Sequence, residues 1–253
     1  MTTTTPPAAA ATPISQEEKD AFFAKGFGRV ENLADESDLR ELGGIYDRLF
    51  AADPAERTNA KSLGGTDASG RELLPQVVAV EEAAPELLGT AYFARALACA
   101  RVLFGPEARY NGGHAILKPA GYGTATPWHQ DQAYHDPAKR YQNVNVWLPL
   151  DGATAEGGCM QYVAGTHTGP VLPHEHTDPG SKDSALSACG QEYRDANAEA
   201  VPCPRGAAAL HHSYTMHDAG PNTSDLPRRA LIFVFGTEPV DRETPWAFPW
   251  QAA

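Results

Sequence analysis

Short runs of β-branched and aromatic residues fill the second half of the chain, and this pattern most limits the folds open to it. Over residues 108–235 the runs alternate with Gly, Pro, Asn and Asp, which favour turns. Many short strands joined by turns are typical of a β-sandwich or a barrel. The predicted strands cover residues 110–118, 143–150, 159–163, 207–212 and 230–235.

The first half of the chain has helical patterns instead. Ser15 and Glu18 have the spacing of a capping box, which predicts a short helix ending at Gly26. Apolar residues at spacings of three and four predict a second helix over 37–50, and a third pattern covers 85–104. We therefore expect a helical N-terminal part, about 14–105, packed on one sheet of a β core at about 106–240.

Two further segments complete the predicted organisation. Residues 1–13 are low in complexity and are expected to form a disordered leader before a single domain over 14–253. Residues 53–74 contain few large apolar groups, which predicts a long surface loop of the kind that often covers a site.

Charge and apolar patterning indicate which partners are disfavoured. Twenty Lys and Arg stand against 32 Asp and Glu, for a net charge of −12, which disfavours nucleic acid and anionic membranes as partners. No run of about 18 apolar residues and no secretory signal is visible, so a soluble cytoplasmic protein is predicted. The four cysteines form no CxxC pair, which predicts reduced packing thiols.

The segment PWHQDQAYHD places His129 and Asp131 two positions apart. Residues i and i+2 of an extended strand project from the same face, so an imidazole and a carboxylate would enter one cavity together. A third ligand from a distant strand, for which His217 is the candidate, would complete a set of two histidines and one carboxylate. This facial triad is associated with non-haem Fe(II) oxygenases because it leaves three coordination positions open.

These residues carry a more specific resemblance. His129 and Asp131 after Pro-Trp, the NVNVWLPLD strand, the GTH at 165–167, and His217 followed by Asn222 and Arg228 together resemble the phytanoyl-CoA dioxygenase family of Fe(II)- and 2-oxoglutarate-dependent oxygenases. The match runs from about residue 118 to 235. The resemblance implies a double-stranded β-helix, or jelly roll, with Fe(II), 2-oxoglutarate as cosubstrate, and O2.

Carried over residue by residue, the resemblance implies His129, Asp131 and His217 as iron ligands. Arg228 would pair with the distal carboxylate of 2-oxoglutarate, for which a planar guanidinium is well suited. Further predicted contacts of the cosubstrate are Trp147, Gln130 and Thr126. One departure is Ala219, which stands where family members often carry a cosubstrate-binding serine; Thr126 or a water would have to replace that donor.

Other polar residues have sequence contexts that are less specific to a site. Gln76 and His135 are candidate substrate contacts, although His135 is more typical of a turn or rim. His114 is interpreted as a core histidine and Lys118 as a surface lysine at a strand end. A solvated loop is predicted around His174 and His176, and one of the adjacent His211 and His212 is free to face the barrel interior.

The functional hypothesis is an enzyme that hydroxylates a small organic molecule of secondary metabolism. Asp131 favours hydroxylation over halogenation, because halogenases with this fold have a small residue in its place. Two alternatives stay open at this point. The same cofactors support epimerisation, cyclisation or desaturation, and a non-catalytic metal- or ligand-binding β-barrel would share the architecture.

Overall fold

The computed structural model describes residues 13–51, 53, 56–181, 184–189 and 197–252. The helices are α1 (Gln16–Lys25), α2 (Glu36–Ala51), α3 (Val80–Ala83), α4 (Ala91–Phe104) and α5 (Pro249–Ala252), with 3-10 turns at Pro85–Gly89, Asp131–Tyr134 and Thr166–Thr168. The strands are β1 (Phe27–Val30), β2 (Ala60–Ser62), β3 (Pro75–Val78), β4 (Arg109–Lys118), β5 (Thr126–His129), β6 (Lys139–Arg140), β7 (Asn143–Pro149), β8 (Met160–Val163), β9 (His174–His176), β10 (Leu186–Ala188), β11 (Ala198–Val201), β12 (Ala208–His212), β13 (His217–Ala219), β14 (Arg228–Gly236) and β15 (Val240–Asp241).

Two antiparallel sheets form the centre of the fold. The large sheet has the order β1-β12-β7-β14-β4-β3-β2, and the small sheet has the order β11-β8-β13-β5. Trp147 and Ile232 of the large sheet share one buried cluster with Met160 and Tyr162 of the small sheet, so the two sheets face each other. This arrangement confirms the predicted jelly roll.

The central strands of the large sheet are buried on both faces, because their apolar side chains project alternately to one face and to the other. On β7, Val144, Val146 and Leu148 pack with the helices, whereas Trp147 packs between the sheets. On β14, Phe233 faces the helices and Ile232 the interior in the same way. The N-terminal helices therefore cover one sheet, as predicted, and leave its other face for the site.

The first two predicted helices are confirmed. α1 follows Ser15, whose hydroxyl accepts from the Glu18 backbone N–H while the Glu18 carboxylate accepts from the Ser15 N–H at 2.7 Å. α2 buries Leu39, Leu42 and Ile45, the residues whose spacing predicted it. Its two consecutive glycines remain helical.

The segment with the predicted helical pattern, 85–104, is helical in the structure but divides at Thr90. A 3-10 turn covers Pro85–Gly89, Thr90 has an extended backbone, and its hydroxyl caps α4 by accepting from the Phe93 N–H at 3.2 Å. Thr90 ends the 3-10 turn and caps the α-helix that follows. The apolar periodicity of the sequence continues across this break and does not reveal it.

Three strands lie in the part predicted to be helical. β1 joins one edge of the large sheet beside β12, and β2 and β3 extend its other edge beyond β4. The predicted 53–74 loop therefore contains an edge strand. The predicted loop at His174 and His176 is also strand, paired with β10, and His174 is buried.

Other sequence predictions meet the structure only in part. The predicted leader lies outside the described residues apart from Pro13, and a single domain over 14–253 stays a prediction. In the part of the chain that the structure describes, no helix is both long and apolar enough to cross a membrane. The four cysteines are unpaired, and all except Cys189 are buried, which fits packing thiols.

Gly26 joins α1 to β1 where side chains of other elements approach closely. Its φ of 88° is in the left-handed region that glycine favours. A Cβ at this position would overlap the His167 ring and the Thr215 hydroxyl, and the Thr215 hydroxyl donates to the Gly26 carbonyl at 2.7 Å. This glycine allows the N-terminal helix to connect to the sheet.

We expect Gly26→Ala to lower the free energy of unfolding by at least about 2 kcal/mol, since it combines an unfavourable φ with steric overlap. Gly44→Ala is the matched control: Gly44 is an exposed helical residue whose added Cβ would meet only Arg48 at 4.0 Å. That variant should gain about 0.5–1 kcal/mol. Urea unfolding measures both changes, and equal stability of the two variants would contradict this account.

Candidate metal centre

Two histidines from distant parts of the chain meet on the small sheet. β13 pairs with β5, and the register places His217 directly opposite His129. Their ring centroids are 4.2 Å apart. Directly opposed residues of an antiparallel pair share one face, so the pairing brings both imidazoles to the same side.

The two imidazoles are oriented in the same way. His129 Nδ1 lies 2.7 Å from the Pro127 carbonyl oxygen, and His217 Nδ1 lies 2.9 Å from that of Thr215. A carbonyl oxygen accepts, so each Nδ1 carries the hydrogen and each Nε2 keeps a lone pair. This is how metal-binding histidines are usually held.

Asp131 supplies the third donor from just beyond the strand. β5 ends at His129, and Asp131 begins a 3-10 turn, so the predicted extended strand is shorter than expected. Gln130 nevertheless keeps an extended backbone, with φ −118° and ψ 128°. The expected projection of His129 and Asp131 to the same side is therefore confirmed, although the two residues do not share a strand.

The three side chains fit a divalent ion. Asp131 Oδ1 lies 3.4 Å from His129 Nε2 and 3.6 Å from His217 Nε2, and the three ligand atoms lie within 4.8 Å of one another. Adjacent donors on an octahedral ion with bonds of about 2.1 Å are about 3 Å apart. The two distances from Asp131 Oδ1 are thus within about 0.6 Å of the spacing that a bound ion requires.

Burial and mutual charge set the protonation of this cluster. Burial, followed by the neighbouring His129 and His211, lowers the pKa of His217 well below its ordinary value, which keeps the imidazole neutral. Burial opposes ionisation of Asp131, but the adjacent histidines, His217 first, hold its pKa well below the usual range. Burial opposes protonation of His129, but the hydrogen bond and charge of Asp131 raise its pKa. Histidine binds a metal in its neutral form, so a bound cation would displace any proton from the Nε2 atoms of the cluster.

An arginine occupies the same cavity as the three candidate ligands. Arg228 is 3% exposed, and its Nε and Nη1 atoms have no hydrogen-bond partner among the described residues. Its guanidinium carbon lies 5.4 Å from the centroid of the Trp147 ring. Burial lowers the pKa of Arg228 to about 10, so it remains a cation at neutral pH. A buried cation with free donors fits a carboxylate ligand.

The cavity has a volume of about 400 Å³, and several predicted contacts lie in its wall. Thr126, Trp147 and Gln76 line it together with Arg228 and the three candidate ligands. Thr126 is directly opposite Ala219 in the β5–β13 pairing. The Thr126 hydroxyl, which the sequence analysis offered as a substitute for the missing serine at position 219, therefore lies on the strand next to Ala219.

Gln130 and His135 lie outside this wall, contrary to the sequence prediction. In extended backbone, Gln130 projects away from its neighbours on either side. Its side-chain amide donates to the carbonyl of Tyr214 at 2.8 Å and accepts from the Leu172 N–H at 2.8 Å. His135 follows the 3-10 turn and stacks on Tyr141, with centroids 4.4 Å apart.

Sequence reasoning missed two cavity residues that alternation along the strands would have indicated, and it left a third undecided. Asn145 is two residues from Trp147 on β7 and shares its face. His114, interpreted as core, lines the cavity beside Ile116 on β4. His211 is the member of its histidine pair that faces inward.

Lys118 corrects another prediction, since it is fully buried rather than at the surface. Its Nζ donates to the carbonyl oxygens of Ala219, at 2.6 Å, and Gly220. Burial, and then the charge of Arg228 directly across the β4–β14 pairing, lowers the pKa of Lys118 to about 6. Asn222 donates to the Lys118 carbonyl at 3.0 Å, which ties the turn before Arg228 to the end of β4.

The fold and the cavity define a jelly-roll protein with a candidate metal centre and an adjacent site for a carboxylate. The sequence profile described as phytanoyl-CoA dioxygenase matches residues 22–230. The chain belongs to the phytanoyl-CoA dioxygenase family.

Individual relatives cover different shares of the chain. A solved structure, EvdO2 of Micromonospora carbonacea var. aurantiaca complexed with 2-oxoglutarate, is 39% identical with a TM-score of 0.82, over 94% of this chain and 96% of that one. Peroxisomal phytanoyl-CoA dioxygenase of Bos taurus is 23% identical over 86% of this chain and 67% of that protein. Phytanoyl-CoA dioxygenase domain-containing protein 1 of Bos taurus is 33% identical over 47% of this chain. The match spans less than half the length of several curated relatives, 41% in this last case.

The buried amine of Lys118 predicts a pH-dependent stability. Between pH 6 and the ordinary value of 10.5, the unfolded chain holds a proton on this lysine that the folded chain has released. Stability should therefore rise with pH in this window, by up to about 1.4 kcal/mol per pH unit from this group.

We expect Lys118→Met to flatten that rise between pH 7 and pH 9. Urea unfolding of the metal-free protein at pH 7, 8 and 9 measures it, with Lys25→Met, at an exposed ion pair with Glu199, as the control. Parallel pH curves for wild type and Lys118→Met would contradict the assignment.

Proposed function

We propose that the chain is an Fe(II)- and 2-oxoglutarate-dependent dioxygenase that hydroxylates a small organic substrate in secondary metabolism. The observation that carries the proposal is one cavity that holds both a His-Asp-His cluster and a buried arginine with unpartnered donors. The first part suits a divalent metal and the second suits a carboxylate. A storage barrel has no need of a positioned carboxylate clamp beside its metal ligands.

His129, Asp131 and His217 are the proposed iron ligands. Two nitrogens and one carboxylate oxygen leave three positions of an octahedral ion open, enough for a bidentate cosubstrate and dioxygen. Ferrous iron with 2-oxoglutarate and O2 would supply the oxidation of a substrate C–H bond. The protein holds both Nε2 lone pairs and Asp131 Oδ1 towards one point.

Arg228 is the proposed partner of the distal carboxylate of the cosubstrate. Its position at the first residue of β14 is fixed by pairing with β4, and the Trp147 ring covers one side of the guanidinium. Ala219 leaves the opposite wall without a hydroxyl, and Thr126 faces it across the strand pair. We assign Thr126 the donor role that serine has elsewhere in the family.

The substrate would contact the remaining wall of the cavity. Gln76 is 7% exposed, and its side-chain oxygen has no partner among the described residues. On the adjacent strand His114 lies opposite Val78, two residues along from Gln76, and burial lowers the pKa of His114 to about 4, so it is neutral. Val78, Ile116 and Leu186 add apolar surface to the wall, which Lys61, Tyr134 and Ser184 also line. This surface suits an organic molecule that carries polar groups.

Hydroxylation is the proposed outcome because Asp131 occupies the carboxylate position of the triad. No observation on the cavity favours epimerisation, cyclisation or desaturation over it. A location in the cytoplasm stays a prediction from the sequence.

Succinate release from 2-oxoglutarate tests the proposed activity. With Fe(II), ascorbate, O2 and a panel of candidate metabolites, wild type should release succinate and yield a product heavier by one oxygen. His129→Ala and His217→Ala should release none above background, because each removes a metal ligand. Folding is checked by circular dichroism.

His176→Ala is the control for these substitutions, since His176 contacts the Trp250 carbonyl outside the cavity and its loss should leave turnover intact. Normal turnover in either ligand variant would refute the assignment of that ligand. Wild-type silence across the panel would favour a ligand-binding barrel.

Arg228→Leu should raise the apparent KM for 2-oxoglutarate at least roughly tenfold, because a charge-assisted pair is worth on the order of 1.5–3 kcal/mol. The matched control is Arg229→Leu on the same strand. Arg229 pairs with Asp151 and Asp47, and its loss should leave that KM unchanged. An unaltered KM in Arg228→Leu would remove this arginine from the cosubstrate site.

A further inference from the structure

Only one carboxylate oxygen of Asp131 faces the two candidate histidine ligands. Oδ1 lies 3.4 Å from His129 Nε2 and 3.6 Å from His217 Nε2. Oδ2 accepts from the Asn145 amide at 2.7 Å and lies 3.3 Å from His211 Nε2. Two side chains thus occupy the second oxygen, and both come from the large sheet.

Asn145 and His211 form a cross-strand pair of their own. Asn145 is on β7 and His211 on β12, and the register places them directly opposite each other. Both are almost fully buried, at 4% and 3% exposure. The small sheet therefore presents the opposed pair His129 and His217, the large sheet presents Asn145 and His211, and Asp131 contacts both pairs.

A third residue fixes the proton of His211. Its Nδ1 lies 3.1 Å from the hydroxyl of Tyr162, which is fully buried and stacks on Phe27 with centroids 4.6 Å apart. A carboxylate oxygen accepts, so the His211 Nε2 that faces Oδ2 must carry hydrogen. The Tyr162 hydroxyl then donates to Nδ1, which gives a directed chain from Tyr162 through His211 to Asp131.

We propose that His211, oriented by Tyr162, and Asn145 are positioning residues that hold Oδ2 and present Oδ1 alone to the ion. The inference rests on the proposed function, because it takes the three candidate ligands as a metal site. Its consequence is chemical: a carboxylate that used both oxygens would occupy one of the positions that cosubstrate and dioxygen require. His211 itself is not a ligand, since its Nε2 hydrogen points at the carboxylate.

Metal affinity in the absence of substrate tests this role. Co(II) affinity is measured by competition with a chromophoric chelator, without 2-oxoglutarate, so that a contact with substrate cannot affect the result. His211→Phe should bind Co(II) roughly 10- to 100-fold more weakly, the usual effect of losing a group that orients a metal ligand. His211→Gln keeps an N–H donor and should stay within about threefold of wild type.

Two further variants make the test specific. His212→Phe is the same substitution one residue along β12, where the side chain faces the Phe104 ring on the helix side, and it should leave Co(II) affinity unchanged. Asn145→Leu removes the other donor to Oδ2 at nearly constant volume and should weaken binding as His211→Phe does. It serves as the second variant if His211→Phe fails to fold, which thermal unfolding of the metal-free proteins reports.

The outcomes separate this inference from the proposed function. Failure of wild type to bind Co(II), or binding by His129→Ala equal to wild type, would refute the metal site itself. If wild type binds and His129→Ala does not, yet His211→Phe and Asn145→Leu match wild type, only the positioning role is overturned. If His211→Gln binds Co(II) as weakly as His211→Phe does, the positioning role is also overturned.

Discussion

The pairing register between β13 and β5 decides whether the chain has a site at all. His217 and His129 come from distant parts of the sequence, and they share a face only because they are directly opposed. Side chains alternate along a strand, so a slip of one residue would turn His217 away from the ring of His129. The register is in turn fixed by neighbours on both sides, since β13 also pairs with β8.

The large sheet supports this register from the other side of the cavity. Its outer face carries the helices, and β7 and β14 are buried on both faces. That burial makes the backbone of the inner face a rigid base for polar side chains, which long loops would not provide. Asn145, Trp147 and Arg228 all extend from it into the cavity. The helices thus contribute to the site by fixing the sheet beneath it, although none of them supplies a candidate ligand.

Sequence spacing predicted the candidate ligands because the chemistry needs few residue types at short, characteristic intervals. His129 and Asp131 could be paired from their spacing of two residues, and His217 from the family resemblance carried by Asn222 and Arg228 after it. Residues whose role depends on tertiary surroundings were harder to interpret. Lys118 has the sequence context of a surface lysine, and only its strand's position between two buried neighbours shows that its amine lies inside. Gln130 is next to His129 in sequence, but side chains alternate along extended backbone, so its amide lies on the side opposite to His129 and Asp131.

The interior also shows how the protein tolerates two basic side chains on directly paired residues. Lys118 and Arg228 face each other across β4 and β14, and both are almost completely buried. Two adjacent buried cations would be strongly unfavourable, and the two side chains differ in whether they keep their charge.

Burial and the arginine's charge lower the pKa of Lys118 to about 6, and the neutral amine keeps two hydrogens for two carbonyl oxygens. Arg228 stays charged because its pKa of about 10 remains above neutral pH. The cavity is consequently left with one cation, two of whose donor atoms have no protein partner among the described residues, an arrangement that suits an anionic ligand. A carboxylate bound there would stabilise the folded chain relative to the unfolded one.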